Sequence, residues 1–404
     1  MIVRGVLGAV LLAAAGAAHA QQDASDVAAP IRPAVAAYRA GDLASAEASL
    51  RPLAAGNPDA EAWLGALLLD RGAERDAVRL IQHAADSGSP EGQHRLALLY
   101  AQGLAGVPRN DAKAAELFEK AATAGHPRAA LNLGILYFRG QGVTRDLVQA
   151  RAWLEKAVAA NDDAQALYAL GRAISESAGQ AGADAVRAAD LFRRAAEKGH
   201  VLAGLRYGLA LSEGNGVKRD PVAGQRWLIQ AQDAGVPEAA LALGDMAART
   251  PASRDKAANE QVVKSAVSWY ERAAQAGVPS AQFKLANAYF SGVGVPRDAA
   301  QAQFWYSRAA QQGLATAQHA LGIMLLGGVA GPRDPVEGYK WLLLAERGGH
   351  ADAKPVREKS AEQLSEPERR RAEALAQAFA PTLERPIDEA PPAKLVPVRT
   401  PQGR

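Results

Sequence analysis

Between Pro279 and Gly313 (PSAQFKLANAYFSGVGVPRDAAQAQFWYSRAAQQG) apolar residues fall three and four apart, pause at a glycine-bearing loop, and resume until a second glycine. That spacing predicts two amphipathic helices joined by a tight reversal. The same pattern recurs along most of the chain. The column of Leu285 continues forward to Leu321 and back through Leu243, Tyr207, Leu170, Leu133, Leu96 and Leu64. Most steps are 36 or 37 residues; the first is 32, and 42 separate Leu243 from Leu285. A period in this range marks stacked helix pairs, each burying its apolar face on its neighbours.

The other columns read as parts of that pair. Four residues before the leucine stands a small residue, as at Ala281, Ala317, Ala239 and Gly92. It lies on the same helical face and lets a neighbouring helix approach. Glycine often follows the leucine, at Gly65, Gly134, Gly171, Gly208, Gly244 and Gly322. Glycine inside a helix costs about 1 kcal/mol against alanine, so its recurrence points to close packing. In the loops Gly140-Gln-Gly142-Val143 and Gly292-Val-Gly294-Val295, paired glycines supply positive φ and the valine turns inward. Asn110, Asp146, Asp184, Asp220, Asp298 and Asp334 are expected to cap the second helices. Seven residues later comes a large apolar residue, among them Trp153, Trp227, Trp305 and Trp341, expected in the core. Gly125, Gly199 and Gly313 end second helices as left-handed caps, and Asn161 is expected to do so once.

Composition agrees with close helix packing. Hydrophobic residues make up 49% but aromatics only 5%, so much of the apolar character is alanine, which favours helix over strand. The formal charge is +3 with both signs interspersed, which is no nucleic-acid footprint. There is no cysteine, which excludes disulfides, thiolate metal sites, a cysteine nucleophile and a lipoprotein anchor. Residues 1–20 read as a secretory signal peptide: Arg4, an apolar run from Val6 to Ala17, then Ala18-His19-Ala20 before a cut at Gln21. No later apolar run predicts a transmembrane helix. A polar linker is expected over 21–33, the repeat array over 34–349, a helical cap over 350–380, and a disordered proline-rich tail over 381–404.

The combined pattern, A-x-x-x-L-G-x-x-Y-x-x-G-x-G-V-x-x-D followed by A-x-x-W-Y-x-x-A-A-x-x-G, resembles the Sel1-like repeat, a relative of the tetratricopeptide repeat. The resemblance is strong over residues 91–349 and looser over 31–88. It implies an all-α fold, a right-handed α-solenoid of antiparallel helix pairs, and a scaffold for protein partners. Exported relatives include sensor-kinase regulators, exopolysaccharide-assembly scaffolds and host-interaction factors. The alginate-type scaffolds are usually lipoproteins, from which this cysteine-free chain departs.

Chemistry is hard to place anywhere. HExxH, GxSxG and SxxK are all missing, and the GxG loops follow helices rather than strands, so no catalytic, cofactor or metal site is expected. His94 and His319 share a column with Leu131 and Phe283 and are expected to pack rather than ligate. Candidate partner-binding residues are those the repeat leaves variable. Arg95, Asn132, Arg206 and Lys284 stand immediately before the leucine column, on a face that lines the concave side of such solenoids. Arg145, Arg219, Arg297 and Arg333, with Arg109, form a ladder just before the caps. That ladder solvates one edge or grips an acidic polymer. The reading is therefore an exported, non-enzymatic scaffold in the periplasm. A polysaccharide- or peptidoglycan-associated protein and a secreted host-interaction factor stand as alternatives, and the 247–264 insertion as a place where binding could sit.

Overall fold

The structure, a computed structural model, describes residues 29–178, 182–251 and 254–384. The expected signal peptide and most of the linker and tail lie outside these residues. By internal contacts the described chain forms two units, one running to Ala203 with Asn215–Val217, the other Gly204–Gly214 and the chain from Lys218.

The first unit contains α1 (Arg32–Arg39), α2 (Leu43–Ala54), α3 (Pro58–Asp70), α4 (Glu74–Asp86), α5 (Pro90–Gln102), α6 (Asp111–Thr123), α7 (Pro127–Arg139), α8 (Leu147–Ala160), α9 (Ala164–Ala178) and α10 (Ala183–Glu197). Nearly all of α11 (Val201–Glu213) belongs to the second. That unit continues with α12 (Pro221–Asp233), α13 (Pro237–Ala248), α14 (Lys256–Gln275), α15 (Pro279–Ser291), α16 (Ala299–Gln311), α17 (Ala315–Gly327) and α18 (Pro335–Arg347). The last two helices, α19 (Ala353–Ala361) and α20 (Glu366–Gln377), cover α18, and α20 starts in the capping box of Ser365 and Glu368. Among the described residues every element is a helix, in nine successive pairs before that cover.

Within a pair, the leucine of the first helix and two adjacent large residues of the second make the core. Except at Leu191 and Phe192, the deeper of the two is the one after the tryptophan column. Phe118, Leu154, Leu228, Tyr306 and Leu342 are buried, whereas Trp153, Trp227 and Trp269 are half-buried. The helical glycines serve this deeper column. A Cβ on Gly134 would fall 2.7 Å from Leu154, and one on Gly244 would fall 2.5 Å from the Tyr270 ring. The loop glycines do something different. Gly142 and Gly216 have φ of 72° and 69°, and a Cβ there would lie 2.2 and 2.1 Å from the carbonyl oxygens of Asp111 and Ala185, at the start of the preceding second helix. Only glycine fits that approach.

Five of the six expected caps accept backbone N–H groups as predicted; Asp146 takes two, from Val148 at 2.8 Å and Gln149 at 3.0 Å. Replacing Asp146 with alanine should cost about 1 kcal/mol in urea unfolding, with α8 fraying first by hydrogen exchange. Asp184 is the exception. The loop before it lacks the paired glycines, Gly182 becomes the N-cap, and Asp184 sits inside the first turn of α10 facing Arg151 at 3.4 Å. Asn161 also differs from expectation: its φ is −150°, extended rather than left-handed, because Asp163 two residues on starts the next helix as an acceptor for Gln165 and Ala166. The 247–264 insertion is largely helix. It adds turns to the front of α14, which runs 20 residues, and Asp255 caps it in place of the missing aspartate.

Candidate partner-binding cleft

The first turns of α3, α5, α7 and α9 lie side by side in the first unit. Each begins at a polar residue that accepts an N–H of its own helix: Asn57, Ser89, His126 and Asp163. Residues just inside those turns therefore point to one side, where they line a cleft of about 510 Å³ with the end of α1.

Trp63 forms its floor. The Arg95 guanidinium lies 4.0 Å from the ring centroid and that of Arg39 5.6 Å, with Tyr38 edge-on at 5.6 Å. Arg128 faces the same space. Burial, with repulsion from Arg95 and Arg39, holds its pKa below the ordinary arginine value despite the attraction of Glu91. Three carboxylates line the cleft as well, each bonded to its frame. Asp59 accepts from the Ser89 hydroxyl, Asp163 caps α9, and Glu91 pairs with Arg95 at 2.6 Å and His126 Nε2 at 3.1 Å. Burial pushes the Glu91 carboxyl upward, but Arg95 and His126 outweigh it and hold the group ionised well below the usual range. Burial, the largest cause, keeps His94 neutral. It stacks on His126 at 4.5 Å.

Glu91, His94 and His126 bring potential ligand atoms within 4.8 Å of one another, which sequence spacing did not suggest. Their protons argue against a metal ion. His126 Nδ1 accepts from the Ala129 N–H at 3.2 Å, so its proton sits on Nε2 and is donated to Glu91. His94 Nε2 faces the Asn132 amide at 3.3 Å. A dication would have to displace these bonds beside the guanidinium of Arg95. The cluster fits a hydrogen-bonded support for the arginines.

Of the eight candidates from sequence, the cleft brings together Arg95 and Asn132. Arg206 stands exposed on α11, and Lys284 pairs with Asp245 at 3.1 Å. The ladder turns out to serve the loops. The Nε atoms of Arg145, Arg219 and Arg333 donate to the carbonyls of Phe138, Ser212 and Leu326, each seven residues earlier at the end of the first helix. Arg109 binds Asp111 instead, and Arg297 lies 6.0 Å from the Phe290 ring. His94 and His319 pack as expected, His319 stacking on His350 at 4.2 Å. Arg39, Trp63, Glu91, His126 and Arg128 were not anticipated. A signal existed in the column five residues before the leucine, which holds Glu91, Arg128 and Gln165 in the first unit and varies freely.

A family model described as Sel1 repeat matches residues 90–126, 127–162, 164–200, 203–236, 260–278, 279–314 and 315–350. The chain is a Sel1-repeat protein. Its fold is the α-solenoid of that family. The crystal structure of c5321, a protective antigen of uropathogenic Escherichia coli with an SLR fold, is 27% identical with a TM-score of 0.58, over 83% of this chain and 79% of that one. A Sel1 repeat protein from Oxalobacter formigenes is 30% identical with a TM-score of 0.57, over 77% and 88%. Among curated proteins, the ERAD-associated E3 ubiquitin-protein ligase component HRD3B of Arabidopsis thaliana is 33% identical over 107 residues; that stretch is 26% of this chain and 16% of the plant protein. Sel1-repeat proteins generally mediate protein–protein interaction, as scaffolds rather than enzymes. In this Sel1-repeat protein the cleft joins three matched repeats, which supply residues from Glu91 to Ala166, to the preceding pairs, which supply Arg39 and Trp63. Among the described residues no helix is long and apolar enough to cross a membrane.

Proposed function

We propose that this chain is an exported, non-catalytic scaffold that works in the periplasm, and that the first-unit cleft receives an acidic segment of a partner protein. The observation that carries this is the cluster of Arg39, Arg95 and Arg128 around Trp63, with the neighbouring carboxylates committed to helix caps and frame bonds. Guanidinium groups present paired donors that match a carboxylate. An anionic polysaccharide would share the charge but also favour an aromatic face on which to stack its rings. Trp63 is only 3% exposed and two arginines approach its ring, which favours the peptide. Export is supported by the leader pattern of residues 1–20.

In-cell photo-crosslinking from position 98, whose leucine lines the cleft, tests both parts. The captured chain should begin at Gln21 and carry one envelope protein. Arg128→Glu should cut that adduct about tenfold with the unfolding midpoint unchanged. An adduct indifferent to Arg128, or a chain retaining its first 20 residues in the cytoplasm, would overturn the corresponding part.

A further inference from the structure

In the second unit the chain's own C-terminal segment runs back across the helices. After α20 the Phe379 ring meets Trp341 edge-on at 5.4 Å. Pro381 then lies against Gly313, where a Cβ would come within 3.3 Å of the proline ring. Thr382 N donates to Gln311 O at 3.0 Å, and Glu384 N donates to Gln312 Oε1 at 3.2 Å. The Glu384 carboxylate accepts from Arg308 through both Nε, at 2.8 Å, and Nη2. It also accepts from Gln282 Nε2 at 3.0 Å. The tail expected to be disordered from 381 thus begins with four placed residues, because a carboxylate and two backbone N–H groups find partners there.

The receiving side is built. Gln282 is 0% exposed and Gln312 is 7% exposed. They are joined by Gln312 Nε2 to Gln282 Oε1 at 2.9 Å and held by the carbonyls of Ala274 and Gly277. Gln282 recurs in its column as Gln93 and Gln318, and Gln318 Nε2 makes the matching bond to the Ala310 carbonyl at 3.1 Å, so this glutamine belongs to the repeat. Gln312 does not: its positions are Ala124 and Ala160 in the first unit and Ala276 in the second. Burying the amide of Gln312 where alanine suffices costs stability unless it finds its bonds, so Gln312 is best explained by what it holds.

We propose that Gln282, Gln312 and Arg308 form a peptide-docking site, closed in cis by Thr382–Glu384 and opened when a partner protein places an extended acidic segment there instead. Two bonds go to backbone N–H groups and read no side chain, while the fork of Arg308 selects a carboxylate. Residues 381–384 are all exposed, so little apolar burial locks them in place. Tethering supplies the occupancy, and a partner overcomes it by concentration or by a second contact. The proposal deepens the scaffold reading without using the first-unit cleft, so Arg128→Glu leaves it untouched.

The chain has no cysteine, so Leu383→Cys in the full-length protein gives one site for a nitroxide on an exposed side chain. Its spectrum should be immobilised. Arg308→Ala should free it, and an excess of a synthetic peptide with the sequence of residues 378–386 should free it in the unchanged background. A peptide with glutamine at the position of Glu384 should need about tenfold more. A label already mobile in the starting protein would overturn the docking. A label freed by Arg308→Ala but unmoved by millimolar peptide would overturn the exchange and leave a fixed strap. Loss of the position-98 adduct with intact peptide exchange would separate failure of the cleft reading from failure of this one.

Discussion

Glu91→Ala should lower the stability of the first unit by about 3 kcal/mol, because it strips a mostly buried guanidinium of its counter-charge and an imidazole of its acceptor. Arg95 and Glu91 expose only 15% and 17% of their side chains, so water cannot readily replace the lost carboxylate. Arg39 and Arg128 stand around the same cleft, and without Glu91 their repulsion with Arg95 is less well compensated. Urea unfolding followed by tryptophan fluorescence reads the loss. The control is the double variant Glu91→Ala with Arg95→Ala, which should be more stable than Glu91→Ala alone, since no charge is then left without its partner. If the single variant lost under 1 kcal/mol, the carboxylate would be a surface ornament and the cleft's arginines would be held by something else.

Acid should weaken the protein well before its carboxylates titrate. Burial pushes the pKa of His200 down to about 4 and lowers those of His94 and His319. Each is therefore neutral when folded, while the unfolded imidazole titrates near its ordinary value of about 6.5. Between those limits the unfolded chain binds more protons, so stability falls as pH drops from about 6.5 toward 4. For His200 the gap corresponds to about 3 kcal/mol. The structural cause is local: His200 Nδ1 accepts the Ala203 N–H at 3.2 Å, and a proton there removes the cap of α11 while placing a charge in a buried site. Glu91, with its lowered pKa, adds to the loss only below about 4.5. His83 runs the other way: Glu61 raises its pKa, so that pair helps below about 6.5 and fades as pH rises. Thermal melts from pH 7 to 4.5 should show the decline, and His200→Asn, which keeps a cap but cannot titrate, should flatten it. A flat profile in the parent protein would contradict the buried neutral histidine.

Most of the fold was legible because the repeat samples each position several times. One glycine after one leucine means little, but Gly134, Gly171, Gly244 and Gly322 in register implied a packed face. The column argument failed where a unit is interrupted: Asp184 kept the expected spacing, yet the altered loop before it moved the helix start to Gly182. The cleft was harder to see. Periodicity identifies what is common to the repeats, whereas the cleft is made of what differs between them. Arg39, Trp63, Glu91 and Arg128 come from four different helices, and their approach depends on how successive pairs stack. The arginine ladder is the opposite case. It is regular because the loop needs it, with Arg145, Arg219 and Arg333 each gripping a carbonyl of its own pair.

The contact of Gly142 with Asp111, and of Gly216 with Ala185, also limits how such a chain can change length. These two loops are each measured against the repeat before them, so inserting a few residues would pull the glycine off its carbonyl. Duplication of a whole unit carries loop and landing place together and leaves every contact intact. The longer irregular stretches, 175–183 and 247–264, fall where the paired glycines are gone, and the loop at 103–107, whose Gly106 touches nothing, takes one extra residue. Growth of the array by whole copies, with tinkering at such loops, follows from a clearance of about one atom.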